Sequence, residues 1–225
     1  MKVTWIGQAG LLFETSDMKI IIDPYFSDSC EKQNAKLVRK VPVKTELTKL
    51  KPDIVVLTHN HLDHTDPETL PYFINGKTHV KVILSENAHD FVKKLGGPTN
   101  DYIIFKTGTE WSEKNVHLSA VPAYHSENSA FGVIIEAEEL KYYVTGDTLY
   151  NKNIFDCLPD DLYAVFLPIN GVGNNMNMID AARFAKMCGA KYAVPMHFGM
   201  FDEINPNSFA AENKVIPQLY KEIRF

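Results

Sequence analysis

The stretch VLTHNHLDHTD, residues 56–66, constrains this chain more than any other. It joins the short apolar run DIVVL to a helix start, with Thr65 or Asp66 as N-cap, Pro67 just inside and Glu68 in the first turn. A short strand of β-branched residues, buried on both faces and followed at once by a helix, belongs to a layered α/β fold. Between the two lie His59, His61, Asp63 and His64, four metal-competent groups in six residues. Packed without partners, such ionisable groups would be costly. In extended backbone, residues two apart project the same way, so His59 and His61 can reach one point. Asp63 and His64 sit where the chain turns and face a second point nearby.

Two metal points need more ligands than four. Three further candidates each close a strand-like segment: His125 after LSAVPAY, Asp147 after YYVTG and His197 after YAVPM. The expected arrangement gives His59, His61 and His125 to one ion and Asp63, His64 and His197 to the other. Asp147 is shared, with Gly146 allowing close backbone approach. Two divalent ions held by imidazole and carboxylate can polarise a substrate oxygen and acidify a bridging water, and Asp63 is placed to take the proton from that water. Zinc is the first expectation for the metal and manganese the alternative. His79, His89 and His117 have no companions in sequence and read as surface histidines.

The remaining pattern supports one domain spanning residues 1–225. Hydrophobic residues make up 45%, enough for one sizeable core. KVTWIG, GLLFET and KIIIDPYF read as a β-meander, and KVILS as a further strand. Ser85 is expected to cap ENAHDFVKKL, with Ala88, Phe91, Val92 and Leu95 on its inner face and Gly96 ending it. The second half repeats the scheme: YIIFKTG, VHLSAVPAYH, FGVIIEAEE and KYYVTGD lead to the buried strand YAVFLPI. A helix MIDAARFAKMC capped by Asn177 follows, and KYAVPMH is expected as a last central strand. The tail SFAAENKVIPQLYKEIRF reads as a helix broken near Pro217. Two strand-rich halves with helices between them predict two sheets face to face with helices outside, a four-layer αββα sandwich.

Composition narrows the partners. The formal charge is −5 and no dense basic run exists, which argues against nucleic acid. Lys36, Arg39, Lys40 and Lys44 read as a solvated loop. Three widely spaced cysteines, Cys30, Cys157 and Cys188, argue against a disulfide framework and for a reducing compartment. MKVTWIGQAG does not read as a signal peptide, and no apolar run is long enough for a membrane span, so a cytoplasmic enzyme acting on a small molecule is expected. Oligomeric state is not legible.

THNHLDH, with TGD and PMH downstream, resembles the metallo-β-lactamase superfamily, across nearly the whole chain. The resemblance implies the αββα fold and the seven ligands named above. LPINGVGNNMNMIDAARFAKMCGAKYAVPMH is similar to a branch that includes ascorbate-6-phosphate lactonase-like proteins and uncharacterised metal-dependent hydrolases. It implies a hydrolase acting on a small ester or lactone, possibly a sugar-phosphate lactone, with manganese as metal. A phosphodiesterase or nuclease, a diiron redox protein and a non-catalytic metal-binding protein are the other readings. The loop NGVGNNMN is expected either as a turn into the helix or as a wall of the pocket, with Asn170 offering its amide to substrate.

Overall fold

Each half of the chain delivers one six-stranded sheet. The computed structural model describes all 225 residues. The first sheet holds, in order, β1 (Lys2–Gly7), β2 (Gly10–Glu14), β3 (Lys19–Ile22), β4 (Ile54–Leu57), β5 (Lys81–Leu84) and β6 (Asp101–Ile104). The second holds β7 (Glu110–Glu113), β8 (Val116–Pro122), β9 (Phe131–Ala137), β10 (Leu140–Val144), β11 (Leu162–Pro168) and β12 (Tyr192–Met196), also in chain order. Both sheets begin antiparallel and turn parallel, at β3–β4 and at β10–β11. The helices are α1 (Ser29–Gln33), α2 (Glu86–Gly96) and α3 (Met178–Cys188).

Alternation along the strands sets the layers, because successive side chains point to opposite faces. In β4, Ile54 and Val56 enter the large core, whereas Val55 and Leu57 enter a smaller one shared with Ala88 and Val92 of α2. Strand β3 divides likewise: Ile20 and Ile22 face the large core and Ile21 the smaller. On the second sheet, Ala181, Phe184 and Ala185 of α3 join the large core. The result is the expected αββα sandwich.

Helix caps follow two different routes. Asn177 caps α3 as expected, its side chain accepting from Ile179 N and Asp180 N at 2.9 Å each. Ser85 precedes α2, but its hydroxyl makes no cap bond and is buried without a partner. Ser129 Oγ instead accepts from Asn87 N at 3.1 Å, so a distant loop supplies the cap. Helix α2 runs through Gly96, its expected end, and Gly97, with φ +73°, caps it instead. Phe91 does not face the core and is exposed. After Asp66 the chain makes turns and a short 3₁₀ segment, Leu70–Tyr72, instead of an α-helix, though Asp66 Oδ1 does accept from Glu68 N at 3.1 Å.

Two expectations are corrected at the sheet edges. Strand β12 is an edge strand, which suits Pro195 because proline has no N–H to give a further neighbour. The tail is not helical. Its backbone groups pair with the open edges: Ala193 N to Asn213 O at 3.0 Å and Val215 N to Ala193 O at 2.9 Å on β12, then Tyr220 N to Trp5 O at 2.9 Å and Ile223 N to Val3 O at 2.8 Å on β1. One segment thus covers an edge of each sheet. Phe225 anchors it among Tyr142, Tyr163 and Tyr192, with ring centroids 5.2–5.9 Å away.

The loop after β3 also departs from expectation. Lys36, Lys40 and Lys44 are exposed, but the Arg39 side chain is only 7% exposed. Its guanidinium lies 4.6 Å from the Tyr25 ring centroid and donates to the carbonyls of Tyr25 and Ser27. The three cysteines are free. No helix is long and apolar enough to cross a membrane.

Candidate metal centre

Strand direction gathers the site. Strands β1 and β3 run parallel to β4, and β8 runs parallel to β10, β11 and β12. Their C-terminal ends therefore carry Gln8, Asp23, His59, His125, Asp147, Asn170 and His197 towards one edge of the sandwich. Ligand sites in open α/β sheets lie outside such strand ends. Gly146 lets the β10 end come close: its φ is +60°, and a Cβ there would lie 3.0 Å from Phe131 O and 3.2 Å from Thr58 Cβ.

The structure brings all seven expected ligands together. Three groups each keep their potential ligand atoms within 4.8 Å: His59, His61 and His125; Asp63, His64 and His197; and His59, His64 and Asp147, which links the first two. In the first group, His61 Nδ1 lies 3.0 Å from both His59 Nε2 and His125 Nε2. In the second, His197 Nε2 lies 3.2 Å from Asp63 Oδ2 and from Asp147 Oδ2, and His64 Nε2 lies 3.4 Å from Asp147 Oδ1. His79, His89 and His117 stand apart, beside Asp101, Asp90 and Ser112.

The donor set fits metal ions. Metal–nitrogen bonds of ~2.0–2.1 Å in a tetrahedron place ligand atoms ~3.3 Å apart, close to the separations seen. The outward ring nitrogens are tied down so that the inward ones present lone pairs. His64 Nδ1 donates to Asp23 Oδ2 at 2.8 Å, His125 Nδ1 to Asn174 O at 3.2 Å, and His59 Nδ1 to Thr58 Oγ1 at 3.1 Å. His64 Nε2 is fully buried with no hydrogen-bond partner, which is the mark of a ligand atom.

Four supporting residues escaped the sequence reading. Asp23 accepts from Thr58 N at 2.8 Å, Thr58 Oγ1 at 2.6 Å and His64 Nδ1. Gln8 Nε2 donates to Asp63 Oδ2 at 2.8 Å. Asn175 Nδ2 donates to Asp147 Oδ2 at 2.8 Å. Asn174 supplies the carbonyl for His125. Gln8 and His197 both hold left-handed backbone, φ +51° and +58°, and His197 N donates to Gln8 O at 3.1 Å. Two non-glycine residues in that region, bonded to each other beside the ligands, mark strain kept for the site. The usable signal in sequence was polar residues directly after strands: Gln8 after WIG and Asp23 after KIII.

Charge in the metal-free centre is balanced internally. Burial opposes ionisation of Asp63 and Asp147, yet the cations of His64 and His197 hold both carboxyls well below the usual range. Burial likewise opposes charge on the two histidines, but Asp147 and Asp63 outweigh it, raising His197 to about 10 and His64 well above its ordinary value. Burial keeps His59 and His125 neutral. The sign follows: below about pH 10, His197 carries a proton that a metal must displace. Metal loading at pH 7 is therefore expected to release protons from His64 and His197, and affinity should rise with pH across the neutral range. Calorimetric loading in buffers of different ionisation heat checks this, and a heat independent of buffer would contradict it.

Beside the ligands lies a cleft of about 370 Å³ reached by Asp63, Asp147, His197 and Asn170. Asn170 Nδ2 is 3.0 Å from His197 Nδ1, and its Oδ1 is buried without a partner. Both expectations for its loop hold some of the geometry: Asn170 pairs with the helix-capping Asn177 and also lines the cleft.

Relatives agree with this architecture. The family described as the β-lactamase superfamily domain matches residues 18–198. A UPF0173 metal-dependent hydrolase of Staphylococcus saprophyticus is 30% identical over 230 residues, covering 93% of this chain and 91% of its own length. A crystal structure described as a metal-dependent hydrolase from Parabacteroides distasonis matches with a TM-score of 0.72 at 26% identity, covering 96% of this chain and 92% of that one. Igni18, a metallo hydrolase from Ignicoccus hospitalis, has the same fold with a TM-score of 0.77 at 20% identity, covering 100% and 97%. The chain belongs to the β-lactamase superfamily and is a metal-dependent hydrolase of the metallo-β-lactamase fold.

Proposed function

We propose that this protein hydrolyses a small ester or lactone at two divalent ions. The observation that carries this reading is the buried, partnerless Nε2 of His64 among converging ligand atoms beside an open cleft. His59, His61 and His125 would hold one ion, Asp63, His64 and His197 the other, and Asp147 both. Bound there, the ions supply Lewis acidity and a water that ionises near neutral pH. Zinc suits the imidazole-rich set, with manganese the alternative that the lactonase-like PING and PMH segments favour. The number of ions and a cytoplasmic location are part of the same proposal.

The chain's own residues divide the remaining work. Asp63 is ionised and lines the cleft with its Oδ2 held by Gln8, where it can orient a water; its strongly lowered pKa makes it a poor proton acceptor. Asn175 and Gln8 fix the carboxylates that face the ions. Asn170 stands between ligand and cleft. Its amide can orient His197 and donate to charge that develops on a substrate oxygen.

Metal-loaded protein assayed on matched lactones, carboxylic esters, thioesters and phosphodiesters tests the reaction class. Lactones or esters should be turned over, with activity lost on chelation and restored by metal. Preferred cleavage of phosphodiesters would move the reading to a phosphodiesterase, and undiminished activity after chelation would end it. Asn170→Ala is expected to weaken retention of one ion by ~10- to 100-fold. At saturating metal, a residual rate loss of ~10- to 1000-fold would measure its role as a transition-state donor. Full metal affinity together with an unchanged rate would leave Asn170 with neither role.

A further inference from the structure

This inference rests on the hydrolase reading and names the substrate's class. We propose that the cleft takes an uncharged substrate whose apolar arm lies along Leu37, Val172 and Phe201, and that it rejects anionic arms. The metal ligands occupy one part of the cleft, and these three side chains supply its apolar wall. Leu37 and Phe201 are held firmly. They pack against the buried cluster of Tyr25, Cys30 and Met200, and the Phe201 ring meets that of Tyr25 edge to face at 5.8 Å. Val172 comes from a separate loop, between Gly171 and Gly173, which hold φ of +67° and +68°. It is 69% exposed, an apolar side chain held in water at the cleft. An arm laid across it would remove that surface from water.

No lysine or arginine lines this cleft. A second groove meets it at His61 and includes Gln33, Asn60, Leu62 and Phe91. That groove also has no lysine or arginine. Phosphate and carboxylate groups are ordinarily held by such cations. On the flanking segment, Lys36 and Lys44 are exposed and line neither groove, and the other basic residues are engaged. Arg39 is spent on backbone carbonyls and the Tyr25 ring, Lys32 pairs with Glu68 at 2.6 Å, and Lys40 pairs with Glu203 at 2.9 Å. The one charged wall residue outside the ligand set is Asp202. Its Oδ1 accepts from Gly199 N at 2.8 Å and Ile204 N at 3.0 Å, which leaves Oδ2 to repel an anion. The ions themselves attract the reacting oxygen, so the exclusion acts on the far end of the substrate. A sugar-phosphate lactone would place its phosphate against this wall, and it is the substrate this reading disfavours.

The test measures binding apart from turnover. Two δ-lactams, one with a hexyl arm and one with a 5-carboxypentyl arm, resist hydrolysis while keeping the lactone's shape. Calorimetry on the metal-loaded protein should show the hexyl lactam binding at least about tenfold more tightly. Val172→Lys, at an exposed position that folding tolerates, and Leu37→Lys should each narrow or reverse that ratio. Equal or tighter binding of the carboxylate, or no binding of the hexyl lactam, overturns the proposal. Hydrolysis of the matching lactones is measured separately. If they resist cleavage while the hexyl preference stands, the ester and lactone reading fails and the cleft's selectivity survives. If they are cleaved but the lactams bind equally, only the selectivity fails.

Discussion

Asp147→Ala lowers kcat/KM by at least about 1000-fold and removes at least one equivalent of metal. Asp147 is buried at the end of β10, with Oδ1 towards His64 and Oδ2 towards His197, and it shares a ligand group with His59. It is the one carboxylate grouped with ligands of both halves. Its loss therefore separates the two ligand sets, and a neighbouring water cannot restore a fixed carboxylate. The loss is also electrostatic. Asp147 is the largest attraction that keeps His64 and His197 protonated in the metal-free chain, so the variant lowers the pKa of both. Metal content by elemental analysis, with turnover measured on the same sample, checks the prediction. Asp147→Asn guards against simple misfolding, because it keeps shape and volume but offers one neutral oxygen. A folded Asp147→Asn protein with full metal content and full activity would show that the bridging assignment is wrong.

The ligands were legible in sequence because each is one residue type at a fixed place, at or just past a strand end. HxHxDH compresses four of them into a turn, and His125, Asp147 and His197 each follow an apolar run. The sandwich was legible because β3 and β4, and β10 and β11 in the second half, end in short apolar runs buried on both faces. The tail was not. SFAAENKVIPQLYKEIRF contains good helix formers, but the edges of β1 and β12 offered its backbone better partners, and tertiary pairing overrode local propensity. Arg39 sat in a lysine-rich stretch that reads as solvated, and only the fold shows the Tyr25 ring and carbonyls that hold it. Gln8 and Asp23 were missed for another reason. Their partners lie 55 and 35 residues away, at Asp63 and Thr58, so no local spacing links them. KIIIDPYF also reads as one strand piece, whereas β3 ends at Ile22 and leaves Asp23 as the polar residue at its tip.

That hidden carboxylate gives the second large effect. Asp23 is completely buried, with φ +42°, and receives three donors: Thr58 N on Oδ1, and Thr58 Oγ1 and His64 Nδ1 on Oδ2. Asp23→Ala strands those donors in the protein interior and should cost ~3–5 kcal/mol of folding stability. Such a loss alone would not distinguish a structural prop from a residue that prepares a ligand. Asp23→Asn does. Thr58 N must still be accepted, so the amide oxygen stays at the Oδ1 position and the NH₂ falls at Oδ2, facing His64. There it donates to Nδ1 instead of accepting from it. The proton on His64 is driven to Nε2, the atom that faces Asp147 and Asp63. A protonated Nε2 cannot bind an ion, so the centre loses a ligand while the fold stays filled. The expected result is a folded Asp23→Asn protein whose affinity for the ion beside His64 drops ~10- to 100-fold or more, with activity recovering in part at high metal concentration. Metal titration monitored with ¹⁵N-labelled histidine reads both the affinity and the tautomer. Unchanged affinity, with His64 still protonated on Nδ1, would reduce Asp23 to a structural acceptor and leave the orientation of His64 to packing alone.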